Sequence, residues 1–306
     1  MASWSFEISA EAVAATPVAG RAEVEDAIVR ICSEATCDVP EPVRSAVNYA
    51  LSGGGKRLRG MLLLSAYRAA GGHGDASGLA ASVEILHAYS LVHDDLPCMD
   101  DDDMRRGRAS THKAFGVRVA TAAGAVMIPL AASAAYRSAS ALRLPGDACC
   151  TIVKVLMQGA GAGGMIGGQL LDLEGEGKDL SQGDLDAVHA AKTGALIASS
   201  VEIGGVAAQI PKAGFDALGS YGTRIGLAFQ IMDDVLDVTA STDMLGKIAG
   251  RDAALNKSTY PALLGVAGAV ARANQLIDEA CDDLRSQNLL SPELEGLARF
   301  IVSRSN

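Results

Sequence analysis

The sequence has little aromatic character: one Trp, five Phe and six Tyr occur among 306 residues, 4% in all. β-Sandwiches are stabilised by aromatic and β-branched cross-strand pairs, so this composition disfavours a sheet protein. The chain is instead 49% hydrophobic and contains 34 Gly, a composition that suits closely packed helices. We predict an all-α protein.

Positive charge is also scarce. Lys and Arg number 26 against 36 Asp and Glu, which gives a formal net charge of -10. Nucleic-acid binders neutralise phosphates with a broad basic face, so the charge argues against that class. A phosphate ligand of this chain is expected to bring metal ions with it.

Several signals of location are missing from the sequence. No run reaches the roughly 18 uninterrupted apolar residues of a membrane span, and the start "MASWSFEISAEAV" lacks the pattern of a signal peptide. The six cysteines form no CxxC…CxxC zinc pattern, and several lie in apolar helical runs, where a thiol is usually a small core residue. We therefore expect a cytoplasmic protein in a reducing compartment, without a membrane span.

Helical periodicity recurs along the chain and is interrupted by Gly or Pro, whereas no convincing strand is found. No linker divides the chain, so residues 1–306 are predicted to form a single domain. Residues 1–20 are expected to be a loose N-terminal arm. The predicted bundle has about ten helices, at 22–33, 41–52, 58–71, 77–95, 115–140, 147–173, 183–209, 213–237, 258–285 and 291–304.

The stretch "HAYSLVHDDLPCMDDDDMRRG", residues 87–107, is dense in aspartate. Asp94 and Asp95 repel each other unless cations gather beside them. Asp100 is six residues after Asp94, which is not a helical repeat. Pro97 disfavours helical geometry at Leu96, so a distorted helix end can bring Asp100 back beside Asp94.

A second acidic cluster, "FQIMDDVLD", contains Asp233, Asp234 and Asp237 inside an apolar helical pattern. Asp233 and Asp237 are four residues apart and therefore share one helix face. Two facing carboxylate clusters form a cage for hard divalent cations. Mg²⁺ is commonly held by a few carboxylates together with substrate phosphate oxygens.

Basic residues are concentrated in two runs, "GGGKRLRG" and "RRGR". Arg binds phosphate oxygens in a bidentate fork and Lys adds a point charge, so the runs indicate two separate anion sites beside the aspartates. The residues concerned are Lys56, Arg57, Arg59, Arg105, Arg106 and Arg108.

The glycine-rich stretch 159–169, "GAGAGGMIGGQ", is not a P-loop, because it lacks GxxxxGK[ST] and lies between helical patterns. Small residues here are expected to let helices approach closely. Gln169 and Asp172 are possible contributors to a polar centre.

These motifs together resemble the short-chain trans-isoprenyl diphosphate synthases, the farnesyl and geranylgeranyl diphosphate synthase family. The resemblance extends from about Ala50 to Leu264, and its motifs occur in the family's order and spacing. They are "GGGKRLRG", the first aspartate motif, "GGMIGGQLLDL", "HAAKTGALI", "FQIMDDVLD" and "LGKIAGRD…NKSTYP".

The resemblance implies helices around a deep central cavity, the isoprenoid synthase fold, with the two aspartate motifs on opposite walls. By this resemblance three Mg²⁺ ions would be held by Asp94, Asp95, Asp100, Asp233, Asp234 and Asp237. The allylic diphosphate would be held by Arg105, Lys192, Thr193, Gln230, Lys247 and Lys257, and isopentenyl diphosphate by Lys56, Arg57, His87 and Arg106. Catalysis would depend on Asp94, Asp95, Asp100, Asp233, Asp234 and Lys192.

Product length is expected to depend on Tyr89 and Ser90, five and four residues before Asp94. On a helix these lie roughly 6–8 Å below the metal site, where a bulky Tyr89 ring forms a floor and a small Ser90 leaves room. The Tyr-Ser pair and the "LP" insertion in the first motif resemble bacterial-type farnesyl diphosphate synthases. A twenty-carbon product, from a geranylgeranyl diphosphate synthase, is the alternative.

Two departures from the family pattern stand out. Gly60 replaces the usual Pro, and "TAAGAVMIPLA" at 121–131 lacks the usual acidic residue. Neither affects a proposed metal ligand, so activity is expected to survive. Two rivals are disfavoured because both aspartate motifs are intact: a terpene cyclase and a non-catalytic regulatory subunit. Apolar residues on more than one face of 77–95 and 115–140 predict a homodimer.

Overall fold

The computed structural model describes residues 17–239 and 257–303. Within these residues the chain forms thirteen α-helices and one two-stranded hairpin. The first seven helices are α1 (Pro17–Ala35), α2 (Val43–Ser52), α3 (Leu58–Ala69), α4 (Ser77–Asp94), α5 (Thr111–Phe115), α6 (Val117–Ala141) and α7 (Gly146–Ala160). The other six are α8 (Met165–Glu174), α9 (Gln182–His189), α10 (Ala195–Ala207), α11 (Lys212–Thr239), α12 (Tyr260–Ser286) and α13 (Pro292–Ser303). The all-α prediction is confirmed.

Three local features separate these helices from the ten predicted segments. The predicted helix 147–173 is divided at 161–164, where Gly161 and Gly164 adopt non-helical backbone angles. The predicted helix 183–209 contains a π-helical turn at Ala190–Gly194. Thr111–Phe115 forms a short helix of its own, separated from α6 by Gly116 at φ 83°.

The hairpin was not expected from the sequence. Its strands β1 (Met104–Arg105) and β2 (Arg108–Ala109) are antiparallel, with Arg105 paired to Arg108. Both turn residues, Arg106 and Gly107, have positive φ, the backbone form that closes two-residue hairpins. Strands of two residues are too short to produce a detectable alternation of polar and apolar side chains.

Helix α1 begins at Pro17, so residues 17–20 of the predicted N-terminal arm are helical. The rest of that arm, residues 1–16, lies outside the described residues.

Two apolar cores hold the helices together. One joins α1, α2, α4, α6 and α7, and includes Leu79, Leu86, Met127 and Ile152. The other joins α3, α10, α11, α12 and α13, and includes Leu62, Tyr221 and Ile277. Helix α10 contacts both α3 and α7, so it ties the two cores into one packed body.

Two stretches, Val117–Ala141 and Gly146–Glu174, are long and apolar enough to cross a membrane by length and composition alone. Core helices of soluble proteins pass the same test. In each stretch, 44% of the most apolar window is buried against the rest of the chain.

Candidate active site

A large cavity of about 580 Å³ lies between α4, α8, the π-helical turn and α11. We call it the main cavity. Both aspartate clusters contribute to its wall, which links two sequence segments more than one hundred residues apart. Its polar lining comprises Arg59, His87, Tyr89, Ser90, His93, Asp94, Asp100, Asp102, Arg105, Gln169, Asp172, His189, Lys192, Thr193, Gln230, Asp233, Asp234, Asp237, Lys257, Ser258 and Thr259.

The first cluster is shaped by the end of α4. The helix ends at Asp94, and the chain then folds back so that the Asp100 N–H donates to the Asp94 carbonyl over 2.9 Å. Asp100 therefore comes back beside Asp94, as the position of Pro97 predicted. This return of the chain places the Asp94 and Asp100 side chains on the same wall of the main cavity.

The environment of Asp94 is unfavourable for an isolated negative charge. Burial, and then the nearby Asp100 and Asp95 carboxylates, raise the pKa of Asp94 to about 7, although Lys192 and Arg105 oppose the shift. A cation would relieve this repulsion, because an opposite charge favours the ionised carboxylate. The oxygen donors lining the cavity therefore fit a hard divalent cation.

Asp95 has a different setting from its neighbour. It is buried and lines a second, small pocket instead of the main cavity. The Arg105 guanidinium donates to both its oxygens, with Nε at 3.0 Å from Oδ1. Asp95 thus fixes an arginine that itself lines both spaces.

The second cluster lies near the C-terminal end of α11. Asp233 and Asp237, four residues apart, both line the main cavity, as helical spacing predicted. The buried Asp234 carboxylate lies 3.3 Å from His189 Nε2 and accepts the backbone N–H of Tyr260 at 3.1 Å. It also accepts the Gln230 amide at 3.4 Å, so this carboxylate is held from three directions.

The π-helical turn presents Lys192 and Thr193 to the cavity together, a use of π-turns that recurs at functional sites. Lys192 Nζ donates to Asp172 Oδ2 at 2.6 Å, and Lys257 Nζ donates to the same oxygen at 2.9 Å. Burial opposes ionisation of Asp172, but the two ammonium groups outweigh it and lower its pKa. Asp172 therefore gathers two cations from distant parts of the chain.

The small pocket lies beside the main cavity and is rich in guanidinium groups: Arg57, Arg105, Arg106 and Arg108 line it together with His87 and Glu84. Arg57 is buried, donates to the Leu51 carbonyl at 3.0 Å and lies 3.9 Å from the Glu84 carboxylate. Arg106 donates to the Gly54 carbonyl.

Gly60, one of the two departures from the family pattern, makes a specific hydrogen bond. Its backbone N–H donates to the buried Glu84 carboxylate at 2.9 Å, a bond that proline could not make. Glu84 thereby faces the start of α3 and supplies a negative charge among the arginines of the small pocket.

His87 is held neutral by its surroundings. Burial, and then Arg59, Arg106, Arg105 and Arg57, lower the pKa of His87 well below its usual value. Among residues 17–239 and 257–303, neither His87 Nδ1 nor Arg59 Nε has a hydrogen-bond partner, and both atoms are buried. Arg59 Nε always carries a hydrogen, so an unpaired buried donor beside the main cavity is suited to an anionic ligand.

The remaining predicted substrate contacts are placed as follows. The Thr193 hydroxyl donates to Gln230 Oε1 at 2.9 Å, and both side chains line the main cavity. Lys56 lies outside the linings of the two spaces, with Nζ 5.5 Å from the centre of the Phe300 ring. Lys247 lies outside the described residues.

Three further residues line the main cavity: Arg59, Asp172 and His189. Arg59 belongs to the first basic run, which predicts an anion site, and Asp172 is a predicted contributor to a polar centre. His189 lies within the quoted "HAAKTGALI" motif, three residues before Lys192, which was its only signal.

Tyr89 and Ser90 are both buried and both line the main cavity one to two turns before Asp94. The Ser90 hydroxyl donates to the His87 carbonyl at 2.9 Å, so it turns toward its own helix. Tyr89 packs edge-on against His93.

A further group of possible metal ligands lies beside the hairpin and combines two exposed aspartates with a buried histidine. Ligand atoms of Asp101, Asp103 and His112 lie within 4.8 Å of one another. Asp103 is paired with Lys113 at 2.7 Å, so part of its charge is already balanced.

Comparisons with known proteins agree with this geometry. A family model described as polyprenyl synthetase matches residues 40–289. A farnesyl diphosphate synthase from Escherichia coli (strain K12) is 41% identical over 269 residues, 86% of this chain and 90% of that protein. A geranylgeranyl diphosphate synthase from Cyanophora paradoxa is 35% identical over 269 residues, 87% of this chain and 89% of that protein.

Among solved structures, a geranyltransferase from Legionella pneumophila superposes with a TM-score of 0.81. It is 33% identical in sequence, and the match covers 94% of each chain. The family model spans most of the chain, and both relatives exceed 30% identity over more than four fifths of it. The chain belongs to the polyprenyl synthetase family.

Proposed function

We propose that this chain is a prenyltransferase that condenses isopentenyl diphosphate with dimethylallyl and geranyl diphosphate to give farnesyl diphosphate. The observation that carries the proposal is the main cavity, where two aspartate clusters meet Lys192, Lys257 and Arg105. Carboxylates and cations gathered at one end of a cavity fit a diphosphate that binds with metal ions.

Mg²⁺ is the proposed cofactor, with three ions per site. Asp94, Asp100, Asp233, Asp234 and Asp237 would hold them, since these carboxylates line the main cavity. When bound, the ions neutralise the diphosphate as it departs and so lower the barrier to cleavage of its C–O bond. Asp95 contributes by fixing Arg105.

The allylic diphosphate is proposed to bind at Lys192, Thr193, Gln230, Lys257 and Arg105, with Lys247 as a further contact by family resemblance. As its C1–O bond breaks, negative charge grows on the diphosphate and positive charge on the allylic carbons. Lysine and arginine groups already fixed in place stabilise that charge where it develops. The cavity's apolar wall keeps water away from the allylic cation.

Isopentenyl diphosphate is proposed to bind at the small pocket through Arg57, His87 and Arg106, with Lys56 as a further contact by family resemblance. Arg59 lines the main cavity. The isopentenyl double bond attacks the allylic cation and forms the new C–C bond. A proton then leaves the isopentenyl C2, and the released diphosphate accepts it. No side-chain nucleophile is needed.

Farnesyl diphosphate is the proposed product because the buried Tyr89 ring stands on the cavity wall below Asp94. Geranylgeranyl diphosphate synthesis is the second candidate, since relatives at similar identity bear that name. A regulatory role is disfavoured because both aspartate clusters are complete.

We further propose that the enzyme is a cytoplasmic homodimer without a membrane span. Helix α6 supports this assembly, because it is apolar along its length and yet leaves Val117 and Tyr136 about half exposed. An apolar helix face in water is normally covered by a partner.

The test is incubation of the purified chain with labelled isopentenyl diphosphate and geranyl diphosphate, with Mg²⁺ or with EDTA. A fifteen-carbon prenyl diphosphate formed only with Mg²⁺ supports the proposal. Absence of any prenyl product, or a rate that EDTA leaves unchanged, would refute it.

A further inference from the structure

The segment 121–131, which departs from the family pattern, lies in α6, and α6 packs along α4. Through this contact α6 reaches the wall of the main cavity. The residue it touches there is His93, which lies between Tyr89 and α6 and has no role in the function proposed above.

His93 and Tyr89 are four residues apart on α4 and therefore share a helix face. Their ring centres are 4.8 Å apart with an interplanar angle of 72°, an edge-to-face contact. Both side chains line the main cavity. The His93 ring thus occupies the space into which the Tyr89 ring would otherwise turn.

His93 is itself fixed by α6 through a hydrogen bond. Its Nε2 lies 3.2 Å from the Thr121 carbonyl oxygen. A carbonyl can only accept, so Nε2 carries the hydrogen and donates it. This bond sets both the orientation of the ring and its tautomer.

Gly124, one turn further along α6, also lies against the His93 ring. A Cβ atom at this position would lie 2.2 Å from His93 Nε2 and 2.3 Å from its Cδ2, far inside contact distance. Only glycine allows the imidazole to lie this close to the α6 backbone. The ring is therefore held between Tyr89 on one side and Thr121 and Gly124 on the other.

We propose that His93 is a specificity-determining residue: seated against α6, it braces the Tyr89 ring and so limits the length of hydrocarbon chain that the cavity accepts. The inference rests on the proposed function. A chain that grows away from the diphosphate passes Tyr89, and an aromatic ring blocks it only while rotation of that ring is prevented. Segment 121–131 acts on product length through His93.

The experiment measures the chain lengths produced from isopentenyl and geranyl diphosphate by the full-length protein and its variants. His93→Ala removes the brace, so we expect the twenty-carbon share to rise by about tenfold, the scale on which small changes in an apolar pocket discriminate. His93→Phe loses the bond to Thr121 but keeps a ring packed between Tyr89 and α6, so it should retain the wild-type product. Tyr89→Ala is the reference for an open floor.

Gly124→Ala tests the contact between the His93 ring and α6 by changing the α6 side of it. The added methyl group pushes the imidazole away from α6 and into the cavity, so with dimethylallyl diphosphate as the primer the products should become shorter, with a larger share released as ten-carbon geranyl diphosphate. Gly296→Ala is the matched control, because a Cβ there meets no atom within 4 Å. Melting temperatures of all variants show whether each is folded at the assay temperature.

A wild-type product distribution in folded His93→Ala overturns the inference, as does a His93→Phe variant that behaves like His93→Ala. Either result leaves the proposed function intact if the wild-type protein makes a prenyl diphosphate. A wild-type protein that makes none overturns both. The proposal is supported if His93→Ala makes longer products and His93→Phe makes the wild-type product.

Discussion

Asp94 and Asp233 stand on different helices, α4 and α11, and line one cavity. Each is expected to supply a charged oxygen to a site of low dielectric. Replacing either by Ala should lower kcat by about three orders of magnitude, because transition-state charge is then poorly neutralised. Steady-state assays with saturating Mg²⁺ measure this loss. Asp216→Ala is the control, since that exposed carboxylate on α11 pairs only with Lys212 in the described residues. Equal rates for all three variants would contradict the assignment.

Asp172 is expected to act on substrate binding, because it accepts hydrogen bonds from both Lys192 and Lys257. Asp172→Asn keeps an acceptor oxygen but loses the charge that gathers the two ammonium groups. We expect the KM for the allylic diphosphate to rise by about tenfold, close to the effect of one charged hydrogen bond. The KM for isopentenyl diphosphate should stay within about twofold, because the two lysines lie outside the small pocket. A rise in the KM for isopentenyl diphosphate alone would contradict this prediction.

The stability of Asp172→Asn is expected to depend on pH differently from that of the wild type. Burial opposes the charge on Asp172, yet its lysine partners lower its pKa in the folded protein. Its ionised form therefore stabilises the fold above the ordinary Asp pKa, and this contribution is lost as the pH falls through the lowered value. Asp172→Asn should be about 1–3 kcal/mol less stable than wild type at neutral pH. Urea unfolding should show that the difference in free energy of unfolding between wild type and variant becomes smaller below about pH 4. If that difference became larger in acid, the ion pairs of Asp172 with its two lysines would not be the cause of the stability difference.

Some of these residue positions could be predicted from the sequence and others could not. Helical periodicity alone places Asp233 and Asp237 on one face, and the geometry of Pro97 accounts for the return of Asp100. The pairing of Asp172 with Lys257 spans 85 residues and depends on how the fold brings the residues just before α12 beside α8. No local pattern encodes such a contact. The same holds for the contact between His93 and Gly124.

At the scale of elements, apolar periodicity predicted the long helices because each buries a stripe of side chains in one of the two cores. It failed where backbone geometry changes without a change of pattern. The π-helical turn at Ala190–Gly194 keeps the side-chain sequence of a helix and adds one residue to the turn. The hairpin depends on two positive-φ residues, Arg106 and Gly107. These two exceptions position Lys192 and the arginines of the small pocket.

Close approach of α8 and the π-helical turn confirms why the segment 159–169 is rich in glycine. A Cβ on Gly168 would lie 2.2 Å from the Lys192 backbone nitrogen. Gly168→Ala must therefore push the two elements apart, and we expect a loss of about 1–3 kcal/mol from overpacking. Turnover should fall too, because the displaced backbone is the one that carries Lys192. Urea unfolding and initial rates measure the two effects.

Gly183→Ala is the control for that prediction. It is also a helical glycine, but a Cβ there meets its nearest neighbour, the Ser181 hydroxyl, only at 3.9 Å. Alanine has the higher helix propensity, so stability should be unchanged or raised by up to about 1 kcal/mol. Equal destabilisation by both substitutions would mean that close packing of α8 is not the cause.

At the scale of the whole molecule, charge is distributed unevenly. A chain with a formal charge of -10 places several of its arginines and lysines around two adjoining spaces. It also places carboxylates there whose mutual repulsion raises the pKa of Asp94 to about 7, with burial as the larger cause. Such an arrangement costs folding stability in the absence of ligands and is expected at a site that binds cations and anions together.

Helix α6 carries the last prediction, a dimer. Its outward face includes Ala125, Pro129 and Tyr136 and has few charges, although the helix is 25 residues long. Exposed apolar area of this extent is stabilised by burial against an identical face, the commonest arrangement in homo-oligomers. Light scattering at micromolar concentration should therefore return about twice the 31.3 kDa chain mass.

A charge placed on that face should prevent the association. Tyr136→Glu puts a carboxylate at a half-exposed apolar position of α6, and burying it without a partner costs more than the contact gains. The variant is expected to scatter as a single chain, whereas Arg137→Ala, which removes only an exposed ion pair with Glu34, should remain dimeric. A wild-type mass of 31.3 kDa would show that α6 has no partner in solution. A dimer that persists in Tyr136→Glu would place the interface on another face of the molecule.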